Sequence, residues 1–390
     1  MRLRRTPLTA IVTAALSAVL LTAALLTTGT AGVAAAQPTA GVAAAQPTAG
    51  SDRTSVPWSQ VGAGWVLTQY ASAAPQGGSG PAALYLISPG GTRYRLASWP
   101  NWRFAPQLLA WSPDGQRALF GVFSGKGGTE LLTLATGQVS TFVMPGAVSP
   151  IGFTTPRGLN IVAGQPSGSG TSLARYSLSG QLLQPLGYSA DGQVLYAPSG
   201  VEFLTGTSRG LKLVSNDGAL IRNLPVPGTS ANSCNPVRWW SSGTVLASCT
   251  PPNSASPQLW LVPASGARPT ALTPPRRVSS GDLGDLDAWR LSSGLYLQSA
   301  GPCAVLQIFR QAGDGSITLV PVPHTNGDNR VLTALGSRLL IQAPTSCVGS
   351  VSLLWFNPAT RAEQWLIRAP GNVVGASIAI PFYSRENGNL

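Results

Sequence analysis

The sequence predicts an all-β protein, a seven-bladed β-propeller of four-stranded antiparallel blades that follows an N-terminal signal peptide. The main observation is a unit that occurs seven times, in which an apolar strand ends in a small polar turn and a second strand follows. The turns end at Gly91, Gly137, Gly180, Gly218, Gly266, Gly315 and Thr360, in steps of 46, 43, 38, 48, 49 and 45 residues. A period in the forties that is built from strands is typical of propeller blades.

Residues 1–36 have the pattern of a signal peptide. Three arginines in the first five residues precede an uncharged apolar stretch, 8–26, and small residues end at Ala36. This order of charged, apolar and small residues is typical of secretory signals. The nonapeptide GVAAAQPTA is repeated in tandem, so cleavage could also follow Ala45. If the stretch stays uncut, its length permits a membrane anchor.

The remaining length fits one large domain. We assign 37–56 to an Ala-, Pro- and Thr-rich linker, 57–384 to the propeller and 385–390 to a tail. The tail segment GNVVGASIAIPFYS (371–384) follows the seventh blade, and we expect it to close the ring by pairing near Trp65–Tyr70.

The formal net charge is +12, and almost all of the basic residues are arginine. Such a charge could favour anionic polymers or a membrane surface. The arginines are spread along the repeats, however, which favours a solvated basic surface. We therefore expect no nucleic-acid partner, membrane contact only through an uncleaved signal segment, and a monomer.

The clearest blade lies between Leu108 and Gly137. Its first two strands flank the turn Ser112-Pro113-Asp114-Gly115, in which proline fixes φ, aspartate can bond its own backbone and glycine accepts positive φ. Two further strands and the Thr136-Gly137 turn complete four antiparallel strands, the composition of a propeller blade.

Weaker copies of the first turn are expected at 189–192, 241–243 and 292–294, and TTPRG (154–158) takes the same place. An aromatic residue precedes each turn: Trp111, Phe153, Tyr188, Trp239 and Trp289. These rings could form a stacking platform for sugars. We favour packing between blades, because a large residue at one place in every repeat is what such packing needs.

The segment WSPDGQRALF (111–120) resembles the WD40-like (PD40) repeat of the TolB-type propeller family. One good copy and several degenerate ones extend over roughly 57–370. The resemblance implies the repeat and the fold. It does not imply the role of TolB, because that family is associated with six blades and an additional N-terminal domain.

Four cysteines, an even number in an exported chain, predict disulfides. Cys234 and Cys249 flank the Ser241-Ser242 turn symmetrically and should face each other in a hairpin. Cys303 and Cys347 follow the second strands of adjacent blades, so we expect them to pair as well. A metal site is the alternative, but CxxC spacing and histidine partners are lacking.

Candidate catalytic motifs coincide with positions where the repeat requires loops. His324 is the single histidine and lies between two blades. Gly206-Thr207-Ser208-Arg209-Gly210 matches the G-x-S-x-G pattern, but it falls between two strands rather than at a strand-to-helix elbow. GVFSGKGG (121–128) lacks the spacing of a phosphate-binding loop. Asp282, Asp285 and Asp287 could bind Ca²⁺, although the twelve-residue loop pattern is absent and a structural role is favoured.

We therefore expect no catalytic, cofactor-binding or metal residues. The predicted function is an exported, non-catalytic propeller that binds a protein or a polysaccharide, secreted or at the cell envelope. Gly-, Ser- and Pro-rich loops at 74–81, 124–129, 164–171, 250–257 and 343–350 would carry the binding. The alternative is a lyase- or lactonase-like enzyme with a site in the central channel. A quinone-cofactor propeller is a third interpretation, but its repeated tryptophan signature is not evident.

Overall fold

The computed structural model describes the chain between Ser51 and Ile378, with gaps. The described residues are 51–72, 80–122, 128–145, 148–168, 170–190, 192–228, 234–251, 256–275, 284–301, 305–344, 350–369 and 371–378. The predicted signal peptide and most of the predicted linker lie outside them. None of the helices within these ranges is long and apolar enough to cross a bilayer.

The described strands form seven sheets, one for each predicted blade. Blade 1 contains β1 (Ser51–Asp52), β2 (Val66–Ala71), β3 (Ala82–Ile87), β4 (Arg93–Trp99) and, from the other end of the chain, β29 (Asn372–Ile378). Blade 2 contains β5 (Gln107–Trp111), β6 (Arg117–Val122), β7 (Gly128–Thr133) and β8 (Val139–Phe142). Blade 3 contains β9 (Ser149–Phe153), β10 (Ile161–Ser167), β11 (Gly170–Tyr176) and β12 (Leu182–Ser189). Blade 4 contains β13 (Val194–Tyr196), β14 (Glu202–Thr207), β15 (Gly210–Ser215) and β16 (Leu220–Pro225).

The other three blades follow the same order. Blade 5 contains β17 (Cys234–Ser241), β18 (Thr244–Cys249), β19 (Gln258–Pro263) and β20 (Thr270–Ala271). Blade 6 contains β21 (Asp285–Leu291), β22 (Gly294–Ala300), β23 (Leu306–Gln311) and β24 (Ile317–Leu319). Blade 7 contains β25 (Arg330–Leu335), β26 (Arg338–Pro344), β27 (Val351–Phe356) and β28 (Glu363–Ile367). Three short 3₁₀ helices lie at Arg53–Ser55, Trp58–Gln60 and Trp102–Phe104.

The C-terminal strand closes the ring, as the sequence predicts. β29 pairs antiparallel with β2, and the register runs from Val66 opposite Ile378 to Ala71 opposite Asn372. The hydroxyl of Thr68 also donates to the Gly375 carbonyl at 2.8 Å. Blade 1 is therefore assembled from both ends of the described chain, with β29 as its first strand. At its outer edge, β1 pairs in parallel with β4.

Each pair of neighbouring blades shares one apolar cluster, and the described residues contain seven such clusters. Trp111 lies in the cluster between blades 1 and 2, and Phe153 in the cluster between blades 2 and 3. Trp239 packs between blades 4 and 5, and Trp289 between blades 6 and 7. These four aromatic residues therefore pack between blades and are buried.

Tyr188 does not follow this pattern, and the prediction for its turn is wrong. Tyr188 lies on β12, the outer strand of blade 3, and is 42% exposed. Residues 189–192 therefore connect two blades instead of forming a first hairpin turn. In blade 4 that turn is Ala197-Pro198-Ser199-Gly200, where the Gly200 amide donates to the Ala197 carbonyl at 2.9 Å. The preceding buried aromatic residue is Tyr196.

The segment 164–171, expected to be a loop, is mostly strand. β10 and β11 stay paired from Ile161 opposite Tyr176 to Ser167 opposite Gly170. Backbone hydrogen bonds hold this hairpin together and do not require apolar side chains. Its Gly- and Ser-rich composition therefore wrongly predicts a loop.

The Ser112–Gly115 turn is held by its own side chains. The Ser112 hydroxyl donates to Asp114 Oδ1 at 2.5 Å and accepts from the Arg117 amide at 2.8 Å. Asp114 also accepts from the Arg117 guanidinium at 2.9 Å. Gly115 has φ +73°. These bonds fix the tight connection between β5 and β6.

Glycine ends most of the third-to-fourth-strand turns for two reasons. In blades 1–6 this glycine has positive φ, between +77° and +91°. In blades 3 and 4 the turn also lies against the outer strand of the preceding blade: a Cβ at Gly180 would lie 2.5 Å from the Phe142 ring, and one at Gly218 would lie 2.9 Å from the Pro185 carbonyl oxygen. In blade 6 this second reason is absent, since a Cβ at Gly315 would meet no atom within 4 Å. In blade 7 the residue with positive φ is Arg361, at +61°, one position after Thr360.

Glutamine side chains connect three pairs of blades, a feature that the sequence pattern does not predict. Gln69, Gln298 and Gln342 each lie on the second strand of a blade. Their amide nitrogens donate to backbone carbonyls at or just before the first strand of the next blade, at 2.8, 2.7 and 3.3 Å. The connected blades are 1 and 2, 6 and 7, and 7 and 1.

Candidate functional site

The order of strands gives the ring two different faces. Within each blade the chain reverses direction at every connection, so alternate connections lie at opposite ends of the strands. The first-to-second and third-to-fourth turns form one end, which we call the turn face. The second-to-third loops and the links between blades form the other end, which we call the loop face.

A cavity of about 400 Å³ opens on the loop face between blades 1 and 2. Its wall combines the 3₁₀ helix Trp102–Phe104 with Gln107 at the start of β5 and Val374 of β29. Phe104 is 74% exposed, the largest exposed fraction among the large apolar side chains described. The cavity has the volume of a small-molecule site.

Local hydrogen bonds fix the backbone of this wall. The Asn101 side chain accepts from the Arg103 amide at 3.0 Å and so caps the 3₁₀ helix. Buried Gln69 binds on both sides of Gln107: its amide nitrogen donates to the Pro106 carbonyl at 2.8 Å, and its oxygen accepts from the Leu108 amide at 3.1 Å. Gln107 is thereby held at the cavity with its side chain exposed.

The chemistry of the lining is neutral and aromatic, apart from Arg103. Trp102 and Phe104 provide ring faces, Gln107 provides an amide that can both donate and accept, and the described lining contains no acid and no histidine. This arrangement can bind a ligand with an apolar face and hydroxyl or amide groups. Among the lining residues described, none forms a general acid–base pair.

The acidic cluster is divided among separate contacts. Asp282 lies outside the described residues. Asp285 is fully buried and accepts from the Ser299 hydroxyl at 2.6 Å. Asp287 is paired with Arg238 of the neighbouring blade, whose Nε donates to it at 2.9 Å, and the Arg238 guanidinium stacks 4.5 Å above the Trp289 ring. Burial raises the pKa of Asp287, and the attraction of Arg238 opposes that rise.

These acids thus take part in contacts within and between blades. Among the residues described, the acids that lie on the first strand of a blade are Asp285 and Asp287, and both belong to β21. The same residues contain no group of three or more His, Cys, Asp or Glu side chains that could hold a metal ion.

His324 lies in the link between blades 6 and 7, as predicted, with its side chain 71% exposed. Its Nδ1 is 3.2 Å from Glu363 Oε2, and the Trp365 indole donates to the same oxygen at 2.9 Å. His324 therefore lies in a different part of the ring from the G-x-S-x-G segment of blade 4 and the GVFSGKGG segment of blade 2.

The G-x-S-x-G segment forms the hairpin between β14 and β15. Gly210 is required by packing, since a Cβ there would lie 2.8 Å from the Val226 nitrogen. Ser208 is exposed at the hairpin tip, and His324 belongs to a different blade link. GVFSGKGG likewise connects β6 and β7, although residues 123–127 lie outside the described part.

Cys234 and Cys249 form a disulfide between β17 and β18, with a Cα–Cα distance of 4.1 Å. Their positions are directly opposite each other in the hairpin register. Cys303 and Cys347 lie outside the described residues, so their pairing stays a prediction.

The comparisons with known proteins agree on the fold. No protein-family model and no curated protein sequence matches the chain. Among solved structures, a puromycin-hydrolysing peptidase of Mycobacterium tuberculosis is similar at TM-score 0.52 and 14% identity, over 79% of this chain and 52% of that one. The β-propeller domain of the Trilobed protease from Pyrococcus furiosus is similar at TM-score 0.51 and 10% identity, over 80% and 97%.

TolB from Acinetobacter baumannii is also among the similar structures, at TM-score 0.44 and 13% identity, over 81% of this chain and 66% of that one. The chain spans about half the length of the mycobacterial peptidase. At these identities the similarity shows the fold alone. The protein is a seven-bladed β-propeller.

Proposed function

We propose that this propeller is an exported, non-catalytic binding module whose loop face binds a polysaccharide in the cavity between blades 1 and 2. The observation that carries the proposal is the composition of that cavity: an exposed phenylalanine, a tryptophan and an amide around about 400 Å³. Aromatic rings offer an apolar face to sugar rings, while amides bond hydroxyl groups.

An extracytoplasmic location is part of the same proposal. It is supported by the sequence pattern of residues 1–36 and by the Cys234–Cys249 disulfide, because disulfides persist in oxidising compartments. The relation to the TolB-type, WD40-like repeat also belongs here, and it rests on the Ser112–Gly115 turn.

The test is binding of the purified protein to a panel of immobilised neutral polysaccharides, with Phe104→Ala as the diagnostic variant. Because the Phe104 side chain is 74% exposed, its loss should leave the melting temperature unchanged. Its apolar contact with a ligand is worth about 1.5–3 kcal/mol, so affinity should fall about tenfold or more.

Leu159→Ala is the matched control, because Leu159 is 57% exposed in the first turn of blade 3, on the turn face. Equal binding by the wild type and both variants would refute the proposal that the polysaccharide binds in the cavity between blades 1 and 2. Capture of a specific envelope protein instead of a polysaccharide, lost in Phe104→Ala, would keep the site and change the ligand class. Shortening of the polysaccharide during incubation would favour the lyase- or lactonase-like alternative.

A further inference from the structure

A second cavity, of about 420 Å³, lies at the loop-face end of blade 4. The G-x-S-x-G hairpin contributes Ser208 and Arg209 to its wall, β15 contributes Lys212 and β16 contributes Asn223. Lys212 and Asn223 are directly opposite each other in the antiparallel register, so their side chains lie on the same face of the sheet. Two cationic groups and two neutral hydrogen-bonding groups thus converge on one cavity.

The backbone that carries Arg209 is fixed. The Thr207 hydroxyl accepts from the Arg209 amide at 3.2 Å and donates to the Gly210 carbonyl at 3.0 Å. The Arg209 carbonyl accepts from the Val226 amide at 3.0 Å, which ties the hairpin to the residue after β16. The backbone at Arg209 is therefore ordered before any ligand arrives, and only the side-chain rotamers remain to be fixed on binding.

The positive charges of this cavity are not neutralised by the residues described. Neither Arg209 nor Lys212 forms an ion pair among them, and the described lining contains no acid. Glu202, the acid of β14, lies at the far end of the same hairpin, opposite Ser215. The cavity therefore carries an excess of positive charge and favours an anionic ligand.

We propose that this cavity binds the carboxylate of an acidic sugar residue in a polysaccharide. The planar guanidinium of Arg209 can bond both oxygens of a carboxylate, and the ammonium of Lys212 adds a second charge. Ser208 and Asn223 can bond neighbouring sugar hydroxyls. The cavity has the volume of a small-molecule site. The proposal does not depend on the cavity between blades 1 and 2.

Three polymers with one backbone provide the test: carboxymethyl-dextran, neutral dextran and dextran sulfate. We expect the full-length protein to bind carboxymethyl-dextran, to bind it more weakly as salt is raised, and not to bind dextran at this cavity. Arg209→Gln and Lys212→Gln should each weaken binding about tenfold or more, as expected for the loss of a charge-assisted hydrogen bond.

Arg222→Gln is the matched control, since it removes the same formal charge from the same blade. Arg222 is adjacent to Asn223 and so lies on the opposite face of the sheet, against the Gly266 turn of blade 5. It should change the affinity by less than about twofold, within the range of an ordinary surface substitution.

Equal losses in Arg209→Gln and Arg222→Gln would overturn the proposal, because binding would then depend on net charge alone. Absence of binding to carboxymethyl-dextran would also overturn it, as would binding of dextran sulfate alone. Phe104→Ala should leave binding of carboxymethyl-dextran unchanged, which separates this site from the cavity between blades 1 and 2.

Discussion

Gly218→Ala and Gly315→Ala form a matched pair that separates the two reasons for glycine in the third-to-fourth-strand turns. Both glycines have nearly the same φ, +85° and +83°. A Cβ at Gly218 would lie 2.9 Å from the carbonyl oxygen of Pro185 and 3.4 Å from the Cα of Leu186, whereas a Cβ at Gly315 would meet no atom within 4 Å. The first substitution therefore adds a clash between blades to the backbone strain that both share.

The difference in the free energy of unfolding follows from these contacts. A non-glycine residue in the left-handed region costs about 1–2 kcal/mol, and both variants should lose this amount. Overpacking against atoms that cannot move costs about 1–3 kcal/mol more, and it should affect Gly218→Ala alone. The atoms that are met belong to the backbone of β12 rather than to a flexible side chain, and Pro185 is paired with Ala174 of β11.

Guanidinium unfolding at equilibrium, followed by tryptophan fluorescence, measures both losses. The comparison requires the two variants and the wild type to have the same m value, which is the slope of the unfolding free energy against denaturant concentration. Two losses that agree within about 0.5 kcal/mol, the usual limit of independent effects, would refute the inter-blade explanation. A larger loss in Gly315→Ala would refute it as well.

Three further predictions concern other turns and the disulfide. Arg361→Gly should raise the free energy of unfolding by about 1 kcal/mol, because it removes a left-handed arginine at φ +61°; an unchanged denaturation midpoint would contradict this. Replacing both Cys234 and Cys249 by alanine should lower that free energy by about 2–4 kcal/mol, and an unchanged free energy of unfolding would contradict this. Hydrogen bonds from Ser215 and Ser316 hold the pKa values of Asp217 and Asp314 below their usual range. Their contribution is therefore present above the unfolded pKa of about 3.9 and is lost as the pH falls towards the lower folded values. Asp217→Asn with Asp314→Asn should make acid unfolding less steep between pH 5 and 2, and an unchanged acid profile would count against this role.

The sequence predicts the repeat well where the signal is local. Ser112-Pro113-Asp114-Gly115 and the glycine turns are short segments whose backbone preferences decide their shape, so their positions follow from composition. The prediction of a hairpin turn at 189–192 is wrong because it, too, depended on local composition alone. A link between blades contains the same polar residues as a hairpin turn, and the two are distinguished by which strands pair on either side and by the exposure of Tyr188.

The candidate sites could not be predicted in this way, because distant segments build them. Val374 lines the same cavity as Trp102, although the two are far apart in the chain. Gln69 forms hydrogen bonds with Pro106 and Leu108, which lie 37 and 39 positions away in the chain. Arg209 lies in a segment that matches a hydrolase signature, whereas the role proposed for it depends on Lys212 and Asn223, which line the same cavity from neighbouring strands.

Deletion of residues 371–390 tests the central claim most directly, since β29 both completes blade 1 and lines the cavity between blades 1 and 2. Deletion of 379–390, which keeps β29, is the control. Thermal unfolding and polysaccharide binding should be measured on both. The structure predicts that the longer deletion abolishes cooperative unfolding and binding, while the shorter one retains both. A 371–390 deletion variant that melts and binds like the full chain would contradict the closed seven-bladed ring.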